Sequence, residues 1–434
     1  MVTGKILPDA SNRRGAFRLL FFALMAVGAG NTMLITAVLP LLVRRLDLPA
    51  WTAGAIFSLS AFLWVIFSPF WGRKSNTWGR RPVAALGLAG FAVSMVLFGF
   101  VGMISLAGVI TFWPLIFLLL LSGRSLFGVF GSGTNPAAQA YVADRTDSSN
   151  RTEEIATLTS GFTFGTAIGP SLAGVLIDQV HLLAPVFVIA AIAVSIGVGI
   201  WFFLPEHRAP EMKKVVTSEG KGLWRDKSVY PFLVYGVGLS LVSGVILQTF
   251  PYFMLDRLHD VGYLPDPSPQ NENPGAQELG IVMTLGALAT LTAQLALIPR
   301  LKLSPKALMV SGAAFLVVSA ALTISLPTLA VFGVAQILYG IGQGFSRPGF
   351  TSGASLAVGT TLQGNVAGLV TATNAMGFVV SPLFGLWAYE NVHPFAPFVF
   401  AAGVLVFMGV FAFFQATNTY QEDPPLLATD EEPH

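Results

Sequence analysis

The chain contains no cysteine, so disulfides, thiolate metal sites and cysteine nucleophiles are all excluded. Charge is scarce as well. Only 11% of the 434 residues are Asp, Glu, Lys or Arg, where a soluble domain carries about 25%. The five histidines are scattered without the H-x-x-x-H spacing of a metal site, and neither a metal nor a cofactor is expected. No Walker-type phosphate loop and no nucleophile elbow occurs, which removes ATP-driven pumping within this chain and enzyme chemistry in general. What is present is apolar: hydrophobic residues make up 54% of the chain and mean hydropathy is +0.70. Lipid is the solvent of such a protein.

Twelve apolar runs are long enough for a helix at about 20 residues per crossing. They cover roughly 16–43, 51–71, 82–104, 110–132, 157–177, 182–204, 229–255, 277–298, 307–326, 328–346, 363–388 and 394–416. The first is too long for a signal-peptide core and lacks a small-residue cleavage pattern, so it stays as a helix. Basic residues then set the orientation. With the N-terminus inside, Arg44, Arg45 and Arg257 lie outside and Arg124 within a span, and the other basic residues, Arg347 among them, fall on the cytoplasmic side. The net charge of +2 therefore belongs to a membrane face, and no nucleic-acid partner is expected.

The sequence also repeats itself. Ala37 to Leu46 (AVLPLLVRRL) parallels Gln248 to Leu258 (QTFPYFMLDRL), Phe127 to Pro136 (FGVFGSGTNP) parallels Tyr339 to Pro348 (YGIGQGFSRP), and Ile168 to Asp178 parallels Val380 to Glu390. Two parallel six-helix halves place a solute site near the bilayer midplane between them. The expected organisation is a cytoplasmic tail over 1–15, one bundle over 16–204, a charged linker over 205–228, a second bundle over 229–416 and a disordered acidic tail over 417–434.

Two motifs narrow the class. GRKSNTWGRRP, Gly72 to Pro82, holds Arg73, Lys74, Arg80 and Arg81 between spans two and three. In span five, Gly161, Gly165 and Gly169 recur every fourth residue ahead of Pro170 and Gly174, a spacing for tight helix contact beside a kink. Together they resemble the major facilitator superfamily, in particular its twelve-helix drug:proton antiporters of the tetracycline-efflux kind. The family's loop pattern G-x-L-x-D-R-x-G-R-R/K is met by Gly72, Gly79, Arg80 and Arg81, with Asn76 in place of Asp, Thr77 in place of Arg and Lys74 in place of Leu. Its helix 4 pattern R-x-x-x-G is met by Arg124 and Gly128, and its helix 5 signature G-x-x-x-G-P-x-x-G-G by Gly165, Gly169, Pro170 and Gly174, with Ala173 for one Gly. The stretch Ala140 to Arg151 is similar to tetracycline exporters.

The resemblance implies an all-α membrane fold of two pseudo-symmetric six-helix bundles and a secondary transporter working by alternating access. It also implies a gate at the 72–81 loop and another at the helix 5 glycines. In the family the loop's Asp latches onto the amino end of helix 11. Asn76 keeps hydrogen bonds without the charge, which weakens such a latch by about 1 kcal/mol, and Asp144 is the candidate to compensate through Arg80 or Arg81. The alternative is that the loop is a topology signal only.

Arg124 is the only full charge deep in a span on this reading. At that depth a cation costs about 2.5–3.5 kcal/mol unless it faces water or a partner. Either it serves the cavity and proton movement, or it snorkels and clamps helix carbonyls. Its counterpart in the second repeat is the neutral Gln336. No Asp or Glu occupies the middle of any span, so no carboxylate proton carrier is evident. Asp178 and Glu390, near extracellular ends, are the remaining proton-coupling candidates beside Arg124. The candidate cavity comprises Asn31, Thr32, Thr36, Trp64, Arg124, Gln248, Tyr252, Gln294, Gln336, Tyr339 and Asn374, groups suited to an amphipathic or weakly anionic solute. Expected partners are a small-molecule substrate, protons and lipid, with the chain acting as a monomer in a bacterial inner membrane. Efflux is the first reading. Uptake or facilitated diffusion is the second, and a sensor on the same fold the third.

Overall fold

The computed structural model describes residues 10–146, 151–206, 225–266, 268, 273–358 and 363–415. Most of the expected linker, all of the 417–434 tail and the first nine residues lie outside that set. Among the described residues the regular elements are helices grouped into twelve spans. α1 runs through Ala10–Met33, Leu34–Val38 and Leu39–Arg45; α2 is Ala50–Trp78; α3 is Arg80–Leu106. α4 comprises Trp113–Val129, Gly131–Gly133 and Thr134–Ala143; α5 is Arg151–Gln179 and α6 is Ala184–Phe203. α7 is Tyr230–Asp260, and α8 comprises Ala276–Thr292, Ala293–Leu297 and Ile298–Leu301. α9 is Pro305–Thr323, α10 Leu329–Leu356, α11 Gln363–Asn391 and α12 Ala396–Gln415. Among the described residues, eleven spans, all but α11, meet the length and apolarity of a membrane crossing.

Local chemistry explains the breaks. Pro40 and Pro299 have no N–H to give to Thr36 and Leu295, and in each case the helix widens to a π turn, at Leu34–Val38 and Ala293–Leu297. Ser304 accepts from the Ala307 amide at 3.2 Å, with Pro305 next in the chain, and starts α9. Thr328 caps α10 in the same way, accepting from the Val331 amide at 3.3 Å.

Two expectations need correction. The 72–81 segment is not a loop, because α2 continues to Trp78 and a single residue, Gly79 at φ 104°, separates it from α3. That backbone is open to glycine, and an added Cβ would also lie 2.8 Å from Glu206 Oε1. Second, spans four and ten do not stop at their Asn-Pro and Arg-Pro pairs. Pro136 falls in the first turn of a continuing segment, and Pro348 is carried inside α10, whose helix runs on to Leu356. Arg347 is therefore a helical residue nine positions before that end, not a loop charge.

Within each half, α1 packs on α5 and α3 on α6, and correspondingly α7 on α11 and α9 on α12. The halves meet through α2 against α11 and α5 against α8. One end of the molecule carries the α2–α3 and α6–α7 connections and is called the linker face; the opposite end is the far face. At the far face, Gly174 of α5 and Gly280 of α8 approach so closely that a Cβ on either would stand 3.2–3.3 Å from the other's Cα. Ser171 and Thr284 are hydrogen-bonded there, and the Leu383 amide donates to Ser58 Oγ at 3.2 Å.

The other helix 5 glycines do something different. A Cβ on Gly165 would sit 2.0 Å from the Met25 carbonyl, one on Gly161 2.5 Å from the Phe21 carbonyl, and one on Gly169 2.4 Å from Thr32 Oγ1, all on α1 of the same half. This face holds a half together, and Gly174 is the member that meets the other half. Gly165→Leu should therefore lower the melting temperature of the purified protein, by the equivalent of about 1–3 kcal/mol or more. Gly403→Leu, at a position with nothing within 4 Å of the added Cβ, should leave it unchanged. Equal melting of both variants with the parent chain would contradict the packing assigned to Gly165.

Candidate functional site

Two polar clusters inside the helices, one in each half, are built around arginines. In the first, Arg124 of α4 is 1% exposed and donates through Nη2 to Asn31 Oδ1 of α1. Its guanidinium carbon lies 4.2 Å from the Phe127 ring centroid and 5.2 Å from that of Phe57. Each ring contact contributes about 0.5–2 kcal/mol, so the pair offsets much of the cost of placing a cation at this depth. Neither neutralises it. Nε and Nη1 are buried and make no hydrogen bond among the described residues.

The second cluster is built around a residue that sequence reasoning placed outside the membrane. Arg347 of α10 donates through Nε to Gln343 Oε1 at 3.2 Å and through Nη1 to Asn374 Oδ1 of α11 at 3.3 Å. Asn374 also accepts from Ser240 of α7 at 3.3 Å, and Gln343 donates to Ser243 of α7 at 2.7 Å. Tyr339 lies about two turns before Arg347 on the same helix. Residues of three helices, α7, α10 and α11, thus hold one cation where they meet. A sequence signal existed: the repeat sets Arg347 and Pro348 opposite Asn135 and Pro136, and a proline in the first turn of a continuing helix is compatible with a span.

The remaining cavity candidates are distributed. Thr32 and Thr36 bond back to carbonyls of their own helix, at 3.0 Å to Gly28 and 2.7 Å to Thr32. Trp64 packs on Phe127 with ring centroids 5.1 Å apart. Gln248 and Tyr252 are buried on α7, and neither Gln248 Oε1 nor the Tyr252 hydroxyl is hydrogen-bonded among the described residues. Gln294 lies in the π turn of α8, and Gln336 packs beside Gly286 of that helix. None of these seven joins the Arg124 or Arg347 hydrogen bonds.

At the linker face, Arg80 Nε pairs with Asp144 Oδ2 at 3.0 Å and its Nη1 donates to Ser75 at 2.5 Å. Glu206, just past α6, does more. Its two oxygens accept from the Arg80 and Arg81 amides at 2.9 and 2.7 Å, capping α3. A charged acceptor on backbone donors contributes about 1.5–3 kcal/mol, against about 0.2–1 for a partly exposed ion pair, so Glu206 holds this corner more firmly than Asp144. Gly72 has open space beside it apart from Pro136 at 3.7 Å. Asn76 is exposed at the end of α2, and residues 359–362, ahead of the amino end of α11, lie outside the described set.

At the far face, Arg44 of α1 pairs with Asp256 of α7, which also accepts from the Tyr389 hydroxyl. Glu390, at the end of α11, accepts from the Ala50 amide and, at 3.0 Å, from the Trp51 amide, capping α2 of the other half. Asp178 is exposed at the end of α5, where Gln179 donates to it at 2.7 Å. The structure brings neither acid to Arg124.

Comparison with known proteins bears on this arrangement. A family model described as Major Facilitator Superfamily matches residues 20–266 and 261–432. Multidrug resistance protein 2 of Bacillus subtilis (strain 168) is 27% identical over 405 residues, 89% of this chain and 90% of that protein. Multidrug resistance protein MdtG of Proteus mirabilis (strain HI4320) is 33% identical over 202 residues, but the chain spans only 46% of its length. Among solved structures, nucleoside transporter NupG superposes with a TM-score of 0.67 at 16% identity, over 94% of this chain and 100% of that one. The human organic anion transporter MFSD10 (TETRAN) superposes at 0.60 and 21% identity, over 92% and 99%. At these identities the superpositions concern the fold.

The Arg124 geometry generates a direct expectation. Replacing a charge-assisted donor removes about 1.5–3 kcal/mol, so Arg124→Ala should weaken solute handling roughly ten- to a hundredfold while the protein still inserts and melts normally. Transport at the parental rate by a folded Arg124→Ala protein would remove Arg124 from the site.

Proposed function

Because the chain belongs to the major facilitator superfamily, we propose that it is a secondary active exporter that moves a small amphipathic or polar solute out of the cell by alternating access, coupled to protons. The observation that carries this reading is the placement of hydrogen bonds between the halves. Those of Arg44, Glu390, Ser171 and Ser58 all lie toward the far face. The polar clusters around Arg124 and Arg347 lie on the linker side of that seam. With the basic α2–α3 corner and both termini cytoplasmic, the arrangement is inward-facing and ready to receive a solute from the cytoplasm. The site is formed within one chain, which works as a monomer in the inner membrane of a bacterium.

Export is supported by the helix 5 signature and by relatives named for multidrug resistance. A tetracycline resistance protein, class G, of Vibrio anguillarum is 34% identical over 161 residues, 37% of its length. A second reading, uptake or facilitated diffusion without strong proton coupling, draws on one observation. No carboxylate occupies the middle of a span, and an alternately exposed acid is the simplest proton carrier.

Everted membrane vesicles loaded with this protein separate the two. Tetracycline and a small library of amphipathic solutes are offered with and without an imposed pH gradient. Export coupled to protons gives accumulation of at least one solute that collapses when the gradient is dissipated. Equilibration indifferent to the gradient selects the second reading, and no movement of any solute relative to empty vesicles contradicts both.

A further inference from the structure

Four arginines of this protein are partnered by two different rules. At the membrane edges they meet carboxylates: Arg44 with Asp256 and Arg80 with Asp144. Inside the helices they meet amides: Arg124 with Asn31, and Arg347 with Gln343 and Asn374. An amide oxygen orients a guanidinium without neutralising it. The sequence makes the contrast strict, since no Asp or Glu occurs between Asp47 and Asp144 or between Glu278 and Glu390, the two stretches that contain these interior arginines.

Both cations also keep donors in reserve. Nε and Nη1 of Arg124 are buried without a partner among the described residues, and among the described residues the hydrogen bonds of Arg347 use Nε and Nη1. Their depths differ in a useful way. At 1.5 Å per residue, Arg347 stands about 14 Å from the linker-face end of α10 and Arg124 about 28 Å from that end of α4. A solute entering from the linker face meets Arg347 first and Arg124 second. A charge without a counter-ion in a low-dielectric interior is costly, and a bound anion with paired oxygens supplies what the protein withholds, in the geometry a guanidinium accepts.

We propose that the cargo is an organic anion, and that Arg347 and then Arg124 bind it as it moves between the halves. This rests on the reading of the chain as a transporter, but it concerns charge selection rather than transport itself. Phe57 and Phe127 around Arg124 favour an anion with an aromatic or apolar body over a small inorganic ion.

The test uses full-length protein in nanodiscs and two xanthene dyes of similar framework, anionic fluorescein and cationic rhodamine 6G, with binding followed by fluorescence anisotropy. Fluorescein should bind at least tenfold more tightly than rhodamine 6G. Arg347→Gln should weaken fluorescein by about tenfold or more, and Arg347→Lys, which keeps the charge, should retain most of the binding. If Arg347→Gln melts early, the Arg347→Lys result and the preference of the parent chain for fluorescein decide the matter. Absence of fluorescein binding, a preference for rhodamine 6G, or fluorescein binding indifferent to Arg347→Gln overturns the proposal. Proteoliposomes loaded with the same dyes separate it from the transport reading. Fluorescein bound but not moved contradicts transport alone, whereas rhodamine 6G moved in preference to fluorescein contradicts the anion alone.

Discussion

The close approach of α5 and α8 at Gly174 and Gly280 is the constraint on which the rest of the structure depends. Lipid gives two apolar helices little reason to associate, so contact must come from backbones brought within van der Waals reach and from the few polar groups that bond across. Glycine on both sides permits that reach, and the Ser171–Thr284 hydrogen bond one turn from Gly174 fixes its register. Around this contact the far face closes with Arg44–Asp256 on one side and Glu390 on the other. The Glu390 cap joins a full charge to two backbone amides of α2 and is the stronger of the two, because Arg44 and Asp256 keep 29% and 44% of their side chains exposed. A seam made of two glycines, a hydroxyl pair and charges at its rim is firm enough to define a state and small enough to part.

The first half is tied internally by different means. Gly161, Gly165 and Gly169 bind α5 to α1, while Glu206 and Asp144 fix the α2–α3 corner to the ends of α6 and α4. The Arg80 side chain and the Arg80 and Arg81 amides find their partners within their own half. This is what a rigid body requires if the halves are to rock against each other, since contacts that bind a half together do not need to break in the cycle.

The fold was legible because bilayer thickness fixes helix length and because lysine and arginine are read in short segments; an all-helical membrane protein of twelve spans follows from composition and periodicity. Arg124 stood out for the same reason, as a charge inside an apolar run. Arg347 did not. Its neighbours Ser346 and Pro348 imitate a helix end, and only the tertiary packing of α10, chiefly against α8 and α9, shows that the helix continues through them. Glu206 was hidden by Pro205, which ends the apolar run and makes the next residue look like linker. The glycine spacing in helix 5 signalled tight contact without saying with what, since periodicity gives a face but not its partner. Likewise Asp178 and Glu390 look equivalent in the repeat, yet one is exposed and the other caps a helix of the opposite half.

The most direct measurement exploits the absence of cysteine. Ser171 and Thr284 touch across the seam, so the double variant Ser171→Cys and Thr284→Cys places two sulfurs within bonding reach in a chain with no other thiol. If transport requires this seam to part, oxidation should arrest solute movement in proteoliposomes, and a reductant should restore it to the level of the unoxidised variant. Undiminished transport by protein shown to be fully cross-linked would contradict alternating access through the α5–α8 seam.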